Sequence, residues 1–248
     1  MLRTILVLLF LIPYLILSYP FRLVLRIISK FNKEAADYGA LRNVQWAFRV
    51  IAFLSGVKLT VLGREHIPTD RAVLYVGNHR SFFDIVLSYP CCPRLTGYIA
   101  KPSVMKVPSL GAWMELLYCL SIDRENTREA LKTILSAIDL IKKGVSVAIY
   151  PEGTRNRHPK EGLLPFKEGS LKIAEKAGCP IVPMAIYNSE NVLEAHFPRI
   201  RSVPVILEYG EPIYPNELSK EEKKHLGTRT QQIIQEMLEK NAGLADNS

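Results

Sequence analysis

The chain lacks the cysteine pattern that staples a small fold or holds zinc. Its four cysteines, Cys91, Cys92, Cys119 and Cys179, include no C-x-x-C pair. That excludes a disulfide framework and a zinc ribbon, and points to reduced, core-type thiols in a cytoplasmic domain. Histidine is scarce as well. The five, at positions 66, 79, 158, 196 and 225, form no H-x-H or H-E-x-x-H, so no metal site is expected. There is no G-x-S-x-G elbow and no P-loop. Internal repeats and low-complexity tracts are absent. Acids are outnumbered, 24 against 32 Lys and Arg, giving a net charge of +8 over 248 residues. The excess implies anionic partners such as acidic lipid, a phosphorylated substrate or an acidic carrier protein. Nucleic acid is not expected, since bases are interspersed with acids and no helix carries a basic stripe with base-reading polar residues.

Charge is missing altogether from Thr4 to Phe21, which is mostly Leu, Ile and Val. A span usually needs about 20 apolar residues, so this run is borderline, and Pro13 sits inside it. No A-x-A-like cleavage site follows Ser18, so a retained segment is expected. Arg22, Arg26, Lys30 and Lys33 come next. They put this end, and everything after it, on the cytoplasmic face of the cell membrane. A second apolar helix is expected over 40–57, with Trp46, Phe48 and Phe53 as interfacial anchors and Arg42 and Arg49 free to snorkel. A single transmembrane helix and a helix pair lying in one leaflet both fit. The pair is favoured because Arg22 and Arg26 stand one turn apart, as on an interfacial helix. The expected division is a membrane-associating helical motif over 1–57 and an α/β domain over 58–248.

What is present after residue 57 is alternation of apolar strands with helices. Strands are expected at 58–63, 73–76, 96–100, 120–124, 145–150, 181–187 and 203–209. The clearest helix is 127–143, with Ala130, Ile134, Ala137, Ile138 and Ile141 on one face. Ser219-Lys220-Glu221-Glu222 is a capping box for a C-terminal helix running to about residue 240. The fold class is therefore α/β, a mixed central sheet flanked by helices, with the N-terminal helical segment attached.

The chemistry gathers where strands stop. Val73 to Val76 runs into Gly77-Asn78, a turn signal, and Ser81 reads as the cap of a short helix with Asp84 in its first turn. His79 thus sits at the carboxyl end of a strand, where open α/β sheets place ligand crevices. One tight turn brings the Asp84 carboxylate back towards the imidazole. A carboxylate on one ring nitrogen fixes the tautomer and frees the other to take a proton. Three further strand ends carry polar or basic residues: Lys101 after Ala100, Arg124 after Ile122, and Glu152 with Arg155 after Ile149. Strands lying side by side would gather these into one basic rim around His79. Arg155 is suited to grip a phosphate bidentately, and Gly153 to let a backbone N–H approach an anion. Singly, each cation reads equally as a solvated surface charge, and Gly153-Thr154 as an ordinary turn.

Asn78-His79-Arg80-Ser81-Phe82-Phe83-Asp84 resembles the N-H-x-x-x-x-D block of the glycerophospholipid acyltransferases. Ile122-Asp123-Arg124 is similar to their second block. Tyr150-Pro151-Glu152-Gly153-Thr154-Arg155 is similar to the third, and Ile181-Val182-Pro183-Met184 to the fourth. The order matches, and the resemblance covers roughly residues 58–210. Cys119 and Ser121 depart from the Gly and aromatic residue common before Ile-Asp-Arg, and Tyr150 stands for the usual Phe. The resemblance implies transfer of a fatty acyl group to the 2-hydroxyl of lysophosphatidic acid. The donor would be an acyl thioester of acyl carrier protein or coenzyme A, with no other cofactor and with membrane lipid as surroundings. In that reading His79 is the general base and Asp84 its orienter. Arg155 holds the substrate phosphate, helped by the Gly153 backbone, Thr154, Arg124 and Lys101, while Glu152 positions the glycerol part. Glycerol 3-phosphate or another lysophospholipid is the alternative acceptor. A non-catalytic membrane protein binding acyl carrier or anionic lipid is the rival class, and an intact His79–Asp84 pair speaks against it.

Overall fold

The computed structural model describes residues 1–123 and 126–246; Arg124 lies outside them. Two long helices come first, α1 (Leu2–Ile28) and α2 (Lys33–Ser55). The Asn32 side chain caps α2 by accepting from Ala35 N (3.0 Å), and Gly56, at φ 68°, ends it in the left-handed conformation that favours glycine. The second helix therefore begins well before residue 40, because Asn32 supplies the start signal and the polar first turns are tolerated on its exposed side.

Seven strands follow: β1 (Lys58–Leu62), β2 (Leu74–Gly77), β3 (Thr96–Ala100), β4 (Leu120–Ser121), β5 (Ser146–Ile149), β6 (Ile181–Tyr187) and β7 (Pro204–Tyr209). Their order in the sheet is β1-β7-β6-β2-β5-β3-β4. Strands β6, β2, β5, β3 and β4 run parallel, β7 is antiparallel to β6, and β1 is parallel to β7. The sheet is mixed, as expected. Between the strands lie α3 (Phe83–Ser88), α4 (Pro102–Met105), α5 (Leu110–Leu116), α6 (Thr127–Lys142) and α7 (Lys172–Ala177), and after β7 come α8 (Lys220–Lys224) and α9 (Leu226–Asp246). The Ser219–Glu222 capping box is made on both sides. It opens the short α8, and α9 continues beyond residue 240.

Strand side chains alternate between two apolar layers. Tyr75, Ala148, Val182, Met184 and Ile186 face α2, α3 and α5, whose Val44, Leu87 and Trp113 share their cluster. Leu74, Val76, Val147 and Ile149 face Ile138 of α6, Ile173 of α7 and Ile234 of α9. Val7 and Leu25 of α1 belong to the first cluster, so the N-terminal helices share a core with the sheet.

α1 has 27 residues and a mean hydropathy of 2.2 in its most apolar window, which by length and composition is enough to cross a membrane. It does not stand away from the α/β domain. Thr4 Oγ1 donates to Pro198 O and accepts from Ile200 N, both at 3.0 Å. Further along, Trp113 Nε1 donates to Ser18 Oγ (3.0 Å) and Arg22 Nη1 to Ser109 Oγ (2.5 Å). The helix is thus fastened to one body at positions about 27 Å apart. Its outer face leaves Leu9, Ile12, Ile16 and Leu17 exposed, joined by Trp46 and Phe53 of α2.

Candidate active site

In the parallel part of the sheet, β2, β5, β3 and β4 are consecutive neighbours. The chain segments that follow them therefore emerge along one edge, the register the strand-end argument requires. His79 leaves β2, Glu152 to Arg155 leave β5, and Lys101 leaves β3, two strand positions or roughly 10 Å from β2. Lys101 is exposed at the start of α4.

The turn after β2 is built by its own side chains. The Asn78 amide is fully buried and pairs with the backbone of Ile186, donating to its O (2.9 Å) and accepting from its N (2.8 Å). That pins the end of β2 to β6. Ser81 Oγ accepts from Phe83 N (2.9 Å) as α3 begins. Asp84, fully buried, turns back: its Oδ2 accepts from His79 Nδ1 (2.7 Å), Arg80 N (2.7 Å) and Ser81 N (2.8 Å). The His79 side chain is 17% exposed, so the ring edge away from Asp84 can be approached from outside. Tyr150 lies flat against the ring, centroids 4.3 Å apart and planes 11° apart.

Glu152 is 5% exposed and faces inward. Its Oε1 accepts from His79 N (2.7 Å) and its Oε2 from Leu164 N (3.0 Å). Burial raises its carboxyl above the usual range, against the opposing pull of those two N–H groups. The Gly153 N–H closes a turn onto Tyr150 O (3.0 Å), and the residue sits at φ 78°. This glycine supplies a backbone conformation other residues resist, and its N–H is engaged rather than offered to an anion. Thr154 is exposed. Arg155 Nη1 donates to Glu194 Oε1 (3.0 Å), and its guanidinium lies 4.1 Å from the Phe82 ring centroid. Among the described residues, no group of three or more His, Cys, Asp and Glu side chains is placed to hold a metal ion.

The segment after β6 adds residues that sequence reasoning did not single out. Ser189 Oγ, fully buried, donates to Asp84 Oδ1 (2.5 Å). Glu190 stands 3.7 Å from the buried Arg80 guanidinium, and burial raises its carboxyl too. Glu194 accepts from Ser81 Oγ (2.5 Å), Phe82 N (2.8 Å) and Arg155. The expected basic rim is therefore partly neutralised by two acids that follow β6. Asn156 is the other addition: its N donates to His79 O (2.7 Å) and its side chain ties the loop to Gly162.

An α/β sheet with an imidazole held by a buried carboxylate at its carboxyl edge suits an enzyme that moves protons at a bound ligand. The comparisons say which kind. A family model described as Acyltransferase matches residues 58–187, and the chain belongs to that family: it is an acyltransferase. The 1-acyl-sn-glycerol-3-phosphate acyltransferase of Borreliella burgdorferi is 30% identical over 193 residues, 77% of this chain and 76% of its own length. The protein of the same name from Escherichia coli strain K12 is 28% identical over 207 residues, 83% of this chain and 80% of its own. The crystal structure of the 1-acyl-sn-glycerophosphate (LPA) acyltransferase PlsC from Thermotoga maritima superposes with a TM-score of 0.82 at 26% identity. It covers 97% of this chain and 95% of its own.

Proposed function

We propose that the protein transfers a fatty acyl group from an acyl thioester to the 2-hydroxyl of lysophosphatidic acid, giving phosphatidic acid. His79 takes the hydroxyl proton on Nε2 while Asp84 holds Nδ1–H and stabilises the imidazolium. The alkoxide attacks the thioester carbonyl directly. The tetrahedral intermediate collapses, the C–S bond breaks, and His79 returns the proton to the departing thiolate. Imidazole suits both steps near neutral pH. Arg155 meets the acceptor phosphate through the guanidinium nitrogens that Glu194 does not hold. Gly153, Thr154 and Lys101 shape and charge the surroundings, and Glu152 holds the His79 backbone against the loop at Leu164. The reading is carried by the 2.7 Å contact of His79 Nδ1 with the fully buried Asp84, together with the family.

The donor is a thioester of coenzyme A or of acyl carrier protein, and the basic surface suits the phosphates of either. The site works at the cytoplasmic face of the cell membrane. Because α1 is fastened to the domain near both ends, its apolar outer face enters one leaflet and the sheet edge stays at headgroup level. The test is thioester consumption with lysophosphatidic acid against glycerol 3-phosphate, each with both donors. Turnover restricted to lysophosphatidic acid, lost in His79→Ala with the fold intact, is the expected result. A preference for glycerol 3-phosphate, or near-normal turnover without His79, would overturn it.

A further inference from the structure

Glu194 stands 39 residues from Arg155 and more than 110 from the turn that carries the base, yet it touches both. Its carboxylate is a three-point post. Oε2 takes the Ser81 hydroxyl, while Oε1 takes Phe82 N–H and one arm of Arg155. Phe82, between the two, backs the guanidinium with its ring. Ser81 and Phe82 belong to the same tight turn as His79 and Asp84. The guanidinium is thus braced on its Nη1 side and on one face, and its remaining N–H groups meet no protein acceptor among the described residues. The side chains of Arg155 and Glu194 are 32% and 21% exposed, open enough for a ligand to reach the free edge.

We propose that Glu194 is a specificity-determining positioning residue: by fastening Arg155 to the His79 turn, it sets the span between the bound phosphate and the hydroxyl that His79 deprotonates. The inference rests on the reading of Arg155 as the phosphate anchor. In the acceptor, the phosphate and the reactive hydroxyl are separated by a fixed number of bonds. An isomer with the free hydroxyl on the next carbon needs a longer span. A braced guanidinium discriminates between them, because a misplacement of about 1 Å can cost as much as about 100-fold in rate. A loose one follows the phosphate and accepts both.

Two variants separate position from charge. Glu194→Gln keeps the oxygen for Arg155 and Phe82 N–H, and its amide N–H can donate to Ser81. Glu194→Asp keeps the charge and withdraws the carboxylate by about 1.5 Å, one carbon–carbon bond. The acceptors are the ether-linked 1-O-alkyl and 2-O-alkyl glycerol 3-phosphates, which cannot isomerise, and the readout is the ratio of their kcat/KM values. Glu194→Gln should keep most of the preference for the 1-O-alkyl isomer, and Glu194→Asp should lose about tenfold of it. An unchanged ratio in both variants would sink the inference, as would a fall in Glu194→Gln as large as that in Glu194→Asp. A lower acceptor KM in Glu194→Gln would also sink it, since that marks a competing anion. Arg155→Ala is the separate control. An unchanged acceptor KM there refutes the phosphate reading itself; a raised KM with unchanged isomer ratios in the Glu194 variants refutes only the role of Glu194.

Discussion

Replacing Asp84 with Asn isolates the charge of the acid from its shape. The carboxylate is fully buried and accepts three hydrogen bonds on Oδ2 and one on Oδ1. An Asn side chain fits this pattern in one orientation only. Its oxygen must take the Oδ2 side, where three N–H donors converge, and its NH2 must face Ser189, whose hydroxyl can turn to accept. The His79 tautomer is then preserved, since Nδ1–H still meets an oxygen. What is lost, in the proposed mechanism, is the negative charge beside the imidazolium that forms when His79 takes the proton. Two unit charges about 4 Å apart interact by about 4 kcal/mol at an effective permittivity of about 20. A barrier raised by that much slows the reaction about 1,000-fold. Asp84→Asn should therefore lower kcat about 1,000-fold in a steady-state acyl-transfer assay, leave the acceptor KM near its original value, and shift the thermal midpoint by only a few degrees. Adding His79→Ala to Asp84→Asn should cost little beyond His79→Ala alone, because the two residues act as one unit. A folded Asp84→Asn enzyme within tenfold of the parent would refute the reasoning, for the acid would then do no more than hold the ring.

The Tyr150 hydroxyl is buried with no hydrogen-bond partner among the described residues; Tyr150→Phe should raise stability by about 1 kcal/mol and leave kcat nearly unchanged, and a lower thermal midpoint would count against the packing described. Glu152 has a raised carboxyl, so its contribution to stability is full below the ordinary carboxylate range and is lost as pH rises through the folded value. The stability gap between the parent and Glu152→Gln should therefore narrow from about pH 4 to pH 7, and a gap that widens contradicts the burial argument. The cysteines should be inert in the native protein: burial pushes Cys92 and Cys179 up to about 12 and Cys119 up to about 11, and raises Cys91. A thiol reagent at pH 8 should label all four only after denaturation, and rapid native labelling of any one would show the core to be open.

What could be read in the chain without coordinates was local. Val73 to Asp84 encodes strand, turn and helix start within a dozen residues, and the hydrogen bonds that close it run over three to five positions. Ser146 to Gly153 is also legible, a strand followed by a glycine turn. Most strand edges were legible because apolar runs end in Gly, Pro or charge, but the strand expected over 120–124 stops at Ser121. Helix bounds slipped where a polar start is tolerated. The Asn32 cap precedes a stretch too polar to read as apolar helix. Lys101 and Thr154 were placed at the correct edge of the sheet, but nothing in their own surroundings ties them to the imidazole.

The half of the site that stayed hidden comes from the other side of β2. Ser189, Glu190 and Glu194 follow β6, and β6 meets β2 only because the chain crosses the sheet after β5. Their partners Asp84, Arg80 and Ser81 lie over 100 residues earlier, and serine and glutamate in a loop carry no spacing signal of their own. A count of bases over acids therefore overestimates the field at the site. Arg80 and Arg155 each meet a glutamate from this segment, leaving the local excess of charge smaller than the +8 of the whole chain suggests. On the proposed reading, anionic lipid is attracted by the surface at large, while the site selects its acceptor by geometry. An acceptor with the right charge but the wrong reach should bind and fail to react, so acceptor analogues should differ more in kcat than in KM.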